Sequence, residues 1–169
     1  MRVVSFASLM ALRQRPRLPI MDVSGTIDAI LGQKGREIFS VSPDATVFEA
    51  IELMANKNVG ALLVLRDGKL LGMISERDYT RKVMLRGKRS RETQVQEIMS
   101  SDLTVVTSRE PVENCLRTMT EKRIRHLPVV DGETLRGIIS IGDLVKFVIA
   151  SQSAAIAHLE SYISGGYSG

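Results

Sequence analysis

The chain repeats itself at a spacing of 65 residues. Val41, Val47, Met54, Lys57, Leu62 and Val64 return as Val106, Val112, Met119, Lys122, Leu127 and Val129. Gly72, Ile74, Ser75, Asp78 and Val83 return as Gly137, Ile139, Ser140, Asp143 and Val148. Between these blocks Asp67-Gly68 aligns with Asp131-Gly132 only after a one-residue slip, the kind of irregularity a turn tolerates. So many matches in one register identify a tandem duplication. Whatever one copy folds into, the other must fold into as well.

Each copy gives the same order of elements. A short strand (Ile38–Ser42, Thr104–Thr107) leads to a helix start at Pro43-Asp44-Ala45-Thr46 or Ser108-Arg109-Glu110-Pro111. Val47, Ala50, Ile51 and Met54, like Val112, Cys115, Leu116 and Met119, stand at i, i+3, i+4 and i+7, one apolar helical face. Ala61–Leu65 and His126–Val130 read as buried strands, and Leu71–Ser75 and Leu135–Ser140 as their return strands across the Asp-Gly turns. Second helices start at Glu76 and Ile141. The fold class is α/β in the α+β sense: two β-α-β-β-α repeats related by a pseudo-twofold axis and packed sheet to sheet, with a cleft between them. Neither repeat easily buries its sheet alone. The domains are a basic extension over 1–22, a first repeat over 23–100, a second over 101–163 and a tail over 164–169. The first repeat includes a lead-in helix (Thr26–Gln33) and a connecting helix (Glu92–Ser100). The second ends in a long helix running towards Tyr162 and stopped by Gly165-Gly166.

Composition narrows the function classes. Apolar residues make up 44% and charged residues 25%, which suits a globular core of one domain or two small ones. One Cys excludes a disulfide framework or a multi-thiolate zinc site, and two His exclude an all-imidazole metal site. No apolar run approaches the ~20 residues of a membrane helix. The formal charge of +4 equals the contribution of Arg2, Arg13, Arg15 and Arg17 in the acid-free residues 1–20 of the leader, so the remaining 149 residues sum to zero. The leader fits either a mitochondrial transit peptide or an extension ahead of Met21 as the natural first residue. Localisation is accordingly cytoplasmic, or mitochondrial if the leader is a transit peptide.

Two tetrads carry the chemistry: Ser75-Glu76-Arg77-Asp78 and Ser140-Ile141-Gly142-Asp143, each at a strand-to-helix junction. Ser-x-x-Asp at a helix start is a capping box, and a single tetrad reads best that way. Two tetrads facing one cleft also suit a nucleotide: helix-terminal amides for a phosphate, a small Gly142 for its approach, and an aspartate for ribose hydroxyls. Arg77, Arg125 and His126 add donors if the duplication brings them to the cleft, and form a solvated rim if it does not.

These residues resemble the cystathionine-β-synthase (CBS) domain family. Gly-Met-Ile-Ser-Glu-Arg-Asp and Gly-Ile-Ile-Ser-Ile-Gly-Asp match its Gly-h-x-Ser/Thr-x-x-Asp signature, and His126-Leu127-Pro128-Val129-Val130-Asp131 its second-strand signature. The first copy departs there, with Ala61-Leu62-Leu63-Val64 and no Pro. The resemblance implies a CBS pair, or Bateman module, over about residues 38–150, similar to stand-alone CBS-pair proteins of bacteria and plant organelles. Such modules bind AMP, ADP, ATP, NAD or S-adenosylmethionine (the last a poorer fit here) and regulate partners rather than catalyse. By the same resemblance one pocket uses Ala45, Ala50, Val59, Gly60 and Ala61 with Ser140, Gly142 and Asp143. The other uses Glu110, Cys115, Ile124, Arg125 and His126 with Ser75, Arg77 and Asp78. Ala45 and Glu110 replace the family's usual Thr. The pocket with Arg77 and Arg125 is expected to prefer highly charged phosphates, and the other, with Gly142 and Gly60, to leave room for the second half of NAD.

An enzyme is disfavoured, since no nucleophile stands beside a base in a recognisable motif and no P-loop occurs. Two alternatives stay open: a nucleic-acid-binding module using the Arg-rich leader, and a structural dimerisation module with empty pockets. A homodimer, no metal, no membrane and an unidentified regulated protein complete the expectations. Ile51, Leu53, Met54 and Ala55 on the first helix, and Leu144, Val145, Phe147, Val148 and Ile149 on the last, exceed what one core face needs.

Overall fold

A computed structural model describes residues 25–35 and 37–165 of the chain. The leader and its two readings, and the end of the tail, lie outside the described residues. In chain order the elements are α1 (Ile27–Lys34), β1 (Ser40–Val41), α2 (Val47–Lys57), β2 (Ala61–Arg66), β3 (Lys69–Ser75), α3 (Glu76–Lys82), α4 (Val112–Lys122), β4 (His126–Asp131), β5 (Thr134–Ser140) and α5 (Ile141–Gly165). Single 3₁₀ turns form at Met84–Arg86 and Val95–Glu97. The α-β-β-α order of the duplication is therefore present twice, with the leading strand formed only in the first copy. β2 and β3 pair antiparallel, as do β4 and β5, with bulges at matching positions, Val64/Leu65 and Val129/Val130. β1 joins β2 in parallel.

The same physics shapes α2 and α4. The predicted apolar faces point inward: Val47, Ala50 and Met54 sink into one core, Val112, Cys115 and Met119 into the other. Thr46 and Glu49 form a reciprocal capping box at the start of α2. Both helices end at a left-handed residue, Asn58 (φ 52°) and Arg123 (φ 55°), which turns the chain into the next strand. Ile51 and Leu53 pack against the first copy's own core, so the apolar excess expected on that helix is absorbed within the chain.

Three local expectations change. The hairpins need no slip: their turn residues are Asp67-Gly68 and Gly132-Glu133, because Asp131 pairs with Thr134 just as Arg66 pairs with Lys69. Asp67 (φ 51°) and Gly68 (φ 75°) make a turn with two positive φ values, whereas only Gly132 (φ 60°) is positive in the second copy. The strand expected at Thr104–Thr107 shrinks to one parallel bridge, Val106 to Val129. Its ladder stops because the next amide, that of Ser108, donates instead to the Asp131 carboxylate at 2.9 Å. The connecting helix is also absent beyond its single 3₁₀ turn. The backbone around that turn is already engaged sideways: Thr93 O accepts from Val47 N, Val95 N donates to Ala45 O, and Ser100 exchanges both main-chain hydrogen bonds with Met73, each at 2.9 Å. With Val95 and Ser100 donating sideways, only short-range bonds such as Ile98 N and Met99 N to Val95 O remain, enough for one turn and not for a continuous helix.

This lateral pairing exposes an exchange between the copies. α1 precedes the first repeat in sequence but buries Ile27 and Ile30 in the core of the second, with Ile27 N donating to Glu110 O and Val112 N to Gly25 O. Residues 93–99 precede the second repeat but bury Val95 and Ile98 in the core of the first. Gly72 and Gly137 serve this exchange. A Cβ at Gly72 would sit 2.8 Å from Ser100 O, and one at Gly137 3.0 Å from a Leu31 methyl.

Because Ile27 and Val95 are both fully buried, replacing either with Ala should destabilise the chain by about 2–4 kcal/mol in urea unfolding. Ile27→Ala should loosen α4, β4 and β5 first in hydrogen exchange, although Ile27 lies nearer in sequence to β1. Early loss of protection in β2 and β3 would contradict the exchange.

Candidate functional site

The site begins with two helix caps. Ser75 Oγ and its main-chain amide both donate to Asp78 Oδ2 (2.6 and 3.1 Å), and Asp78 N donates to Ser75 Oγ. Ser140 and Asp143 repeat the arrangement at 2.8, 2.8 and 3.2 Å. The capping reading of each tetrad is thus realised in both copies. The first helical amides are engaged too: Glu76 N donates to Gly60 O and Ile141 N to Arg125 O. These junctions do not present a full set of helix-terminal amides to an anion, contrary to the simplest expectation.

A cleft of about 190 Å³ opens beside the first junction and is walled by both copies. Ser75, Arg77 and Asp78 come from the first copy, and Ile124, Arg125 and His126 from the second. Ser100, Asp102, Leu103 and Thr104 of the inter-repeat segment, with Met73 and Pro128, complete it. Arg77 crosses between copies, its Nη1 donating to Arg123 O at 2.9 Å, the carbonyl of the left-handed cap of α4. The other Asp78 oxygen, Oδ1, bonds Lys82 at 2.7 Å one turn along α3 and is approached by Ser100 Oγ at 3.5 Å.

Other residues assigned by resemblance stand elsewhere. Ala50 and Cys115 occupy matching positions deep in the two cores, because the helical spacing that makes α2 and α4 amphipathic turns them inward. Ala45 packs on the first core, its carbonyl accepting from Val95, and Glu110 accepts from Asn114 Nδ2 at 2.8 Å. Val59 packs on the first core, and Ala61 opens β2 opposite Ser75. Gly60 does reach the middle of the molecule, where a Cβ would lie 3.6 Å from His126 Cε1 and 3.5 Å from Glu76 Oε2. Gly142 has ordinary space, its nearest neighbour being Ser140 Oγ at 3.6 Å.

Two charge features escaped the sequence reading. Lys34, at the end of α1, bonds Asp143 Oδ2 at 2.7 Å and Ile138 O at 3.2 Å. The neutral body also hides a local concentration of cations over residues 81–91. Most are engaged: Lys82 with Asp78, Lys88 with Glu97, Arg89 with Glu92, and Arg91 stacked 3.7 Å from the Phe48 ring centre.

A family profile for the CBS domain matches this chain twice, over residues 35–85 and 95–150. The chain belongs to the CBS-domain family. The mitochondrial CBS domain-containing protein CBSX3 of Arabidopsis thaliana is 37% identical over 153 residues, covering 85% of this chain and 74% of its own. A putative signal-transduction protein with CBS domains from Burkholderia ambifaria superposes with a TM-score of 0.73 at 46% identity, covering 76% of this chain and 96% of its own. At 22% identity and a TM-score of 0.67, the CBS pair of MJ0100, solved with 5′-methylthioadenosine and S-adenosyl-L-methionine, shares the fold, covering 75% of this chain and 98% of its own. Among the described residues no helix is long and apolar enough to cross a membrane.

Within this CBS pair the titratable groups are held away from reactivity. Burial, with the Glu110 charge adding, pushes the Cys115 thiol up to about 11. Burial also pushes the His126 imidazole down to about 4, helped by Arg125 and Lys34, opposed by Asp143 and helped slightly by Arg77. His126 is therefore neutral at physiological pH. For Asp143, burial raises the carboxyl, but the Lys34 and Ser140 hydrogen bonds outweigh it and hold the group below the ordinary carboxylate value.

His126 makes stability pH-dependent. The unfolded imidazole takes its proton near 6.5 and the folded one only near 4, so the unfolded state binds more protons between those values. Stability should hold above pH ~6.5 and fall as pH drops towards 4, by at most about 3 kcal/mol before discounting residual solvent screening. Urea unfolding at about pH 7 and about pH 4.5 checks this. His126→Gln should remove most of the difference, and an unchanged difference would assign the drop to other groups.

Proposed function

We propose that this CBS pair is a regulatory module that binds an adenine nucleotide of the AMP, ADP or ATP type in the cleft between its copies and passes occupancy to a partner protein. One observation carries the reading: a single cleft joins Ser75, Arg77 and Asp78 of one copy to Ile124, Arg125 and His126 of the other. Asp78 is a charged acceptor for ribose hydroxyls, and Arg77 and Arg125 are guanidiniums for a phosphate. Neutral His126 offers one donor and one acceptor nitrogen. With Asp78 already paired to Lys82, Asp102 is left to face two guanidiniums. That balance favours an anionic phosphate over the sulfonium of S-adenosylmethionine. The adenosyl ligands bound by the CBS pair of MJ0100 give a precedent for the ligand class within this fold. A binding role also suits the buried, protonated Cys115 thiol, which is a poor nucleophile.

Native mass spectrometry of freshly purified protein should reveal co-purified adenine nucleotide, and titration calorimetry should give saturable AMP binding. Arg125→Ala should weaken ADP and ATP more than adenosine. Asp78→Ala should weaken AMP by about 1.5–3 kcal/mol, roughly ten- to a hundredfold. Asp78→Asn, which retains a cap acceptor, separates lost capping from lost ligand contact. Folded Asp78 and Arg125 variants with wild-type AMP affinity would overturn the assignment.

The module acts as a homodimer in this reading. Val145, Ile149 and Ile156 on α5 are 45%, 58% and 57% exposed and recur at spacings of four and seven, a stripe the chain's own core leaves uncovered. Met84 and Leu85 are exposed at the matching end of the first copy. A second copy is the simplest cover for a stripe duplicated in this way. Light scattering at micromolar concentration should give twice the 18.6 kDa chain mass. Val145→Glu with Ile149→Glu should return a folded single chain, whereas a wild-type mass of one chain would refute the dimer.

A further inference from the structure

Ser100 lines the first cleft together with Asp78. Its main chain is fixed, because it exchanges both hydrogen bonds with Met73 at 2.9 Å. Its hydroxyl is only weakly engaged. Ser100 Oγ stands 3.5 Å from Asp78 Oδ1, beyond the ~2.5–3.0 Å of a hydroxyl–carboxylate bond. Among the described residues this hydroxyl makes no shorter hydrogen bond.

The carboxylate beside it is nearly full. A carboxylate has about four lone-pair sites, two on each oxygen. On Asp78 Oδ2 both are taken, by Ser75 Oγ at 2.6 Å and Ser75 N at 3.1 Å. On Oδ1 one is taken, by the Lys82 ammonium at 2.7 Å. That ammonium is pinned, since it also donates to Ile98 O at 2.7 Å. Without breaking the helix cap, Asp78 therefore keeps a single site, on Oδ1, for a ligand hydroxyl. To bond both hydroxyls of a ribose the cleft must offer a second group next to that one. Ser75 Oγ is committed to the cap, and Thr104 Oγ1 already accepts from Lys122 at 2.9 Å. Ser100 Oγ is next to Oδ1 and has capacity left.

We propose that Ser100 is a ribose-binding residue of the first cleft and shares the diol with Asp78, one hydroxyl donating to Asp78 Oδ1 and its neighbour bonding Ser100 Oγ. This deepens the nucleotide reading above and rests on it. Two partners 3.5 Å apart fit adjacent cis hydroxyls, and each hydroxyl is read by a different residue. The cleft accordingly selects a ribonucleotide over either deoxy form. Binding also gives Ser100 the full-strength bond that its contact with Asp78 lacks, and a serine hydroxyl rotates to donate or accept as the ligand requires.

The experiment is titration calorimetry on the full chain, wild type and Ser100→Ala, with AMP, 2′-deoxy-AMP and 3′-deoxy-AMP. Wild type should bind both deoxy nucleotides more weakly than AMP. Ser100→Ala should weaken AMP about two- to tenfold, the loss expected for one neutral hydrogen bond. It should leave one deoxy nucleotide unchanged, the one lacking the hydroxyl that Ser100 meets, and weaken the other as much as AMP. An equal loss for all three ligands would give Ser100 a merely structural role and overturn the proposal. Unchanged AMP affinity in Ser100→Ala would overturn it too, as would wild-type binding of both deoxy forms as tight as that of AMP, a comparison that needs no variant. Each of these results leaves the nucleotide reading intact. Failure of wild type to bind AMP would overturn that reading, and the role of Ser100 with it.

Discussion

The exchange of lead-in segments is the constraint on which the rest of the molecule depends. A two- or three-stranded sheet with one helical face against it leaves apolar surface open. In each copy that surface is closed by the segment that leads, in sequence, into the other copy's first strand: Ile27 and Ile30 for the second, Val95 and Ile98 for the first. Neither core is complete without both halves of the chain. The segment that carries Val95 and Ile98 continues directly into Ser100–Thr104, which line the cleft. Core and cleft are therefore coupled through the backbone, and a ligand that shifts the cleft wall pulls on a packed interior. Closely packed interiors do not deform gradually, so in the proposed reading cleft occupancy would be felt as a discrete change of shape.

The tetrads illustrate how one residue can serve two ends. Ser75 and Ser140 cap their helices, and Asp78 and Asp143 complete the caps through one carboxylate oxygen. The capping geometry fixes each aspartate at the junction, which gives a ligand a rigid charged acceptor. The same geometry withdraws the first and third helical amides from an anion. In the proposed nucleotide reading a phosphate falls to Arg77 and Arg125, and Arg77 is already anchored across the copies by Arg123 O. The guanidinium is held in place before any ligand arrives, so less side-chain entropy is lost on binding.

Much of this was legible in the sequence, for definite reasons. The duplication, the inward faces of α2 and α4, and the capping tetrads all rest on short-range periodicity, which folding preserves. Matters governed by long-range pairing were not legible. Residues 92–100 have the apolar spacing of a helix, but the Val95 and Ser100 amides donate to Ala45 and Met73, and these lateral bonds limit the helical ones to a single turn. The slip at the hairpin followed the Asp-Gly pairs by eye, whereas the strands keep register by paired residues, Arg66–Lys69 and Asp131–Thr134. Cys115 was carried into a pocket by family resemblance although its own helical spacing turned it into the core. Lys34 lay outside the repeated register altogether. The signal that could have found it was the loss of Lys82's counterpart at Phe147, which leaves an aspartate in need of a cation.

Divergence between the copies is uneven. Core positions such as Val47/Val112 and Met54/Met119 and the caps Ser75/Ser140 and Asp78/Asp143 stay the same, whereas Thr46 and Glu49, the capping box of α2, become Pro111 and Asn114. One charged pair changes as a compensating set. Asp44 pairs with Arg66 at 2.9 Å in the first copy, and the corresponding residues are Arg109 and Asp131, with Asp131 held below the ordinary carboxylate value by Ser108 first and by Arg136 and Arg109 further down. The cleft positions are the exception, because Arg77 and Arg125 face Gly142 and Gly60 with no reversal to balance them. Arg77 also has a structural partner: it donates to Arg123 O across the copies at 2.9 Å, a contact that the glycine at 142 has no side chain to make, so the two junctions are tied to the opposite copy by different means.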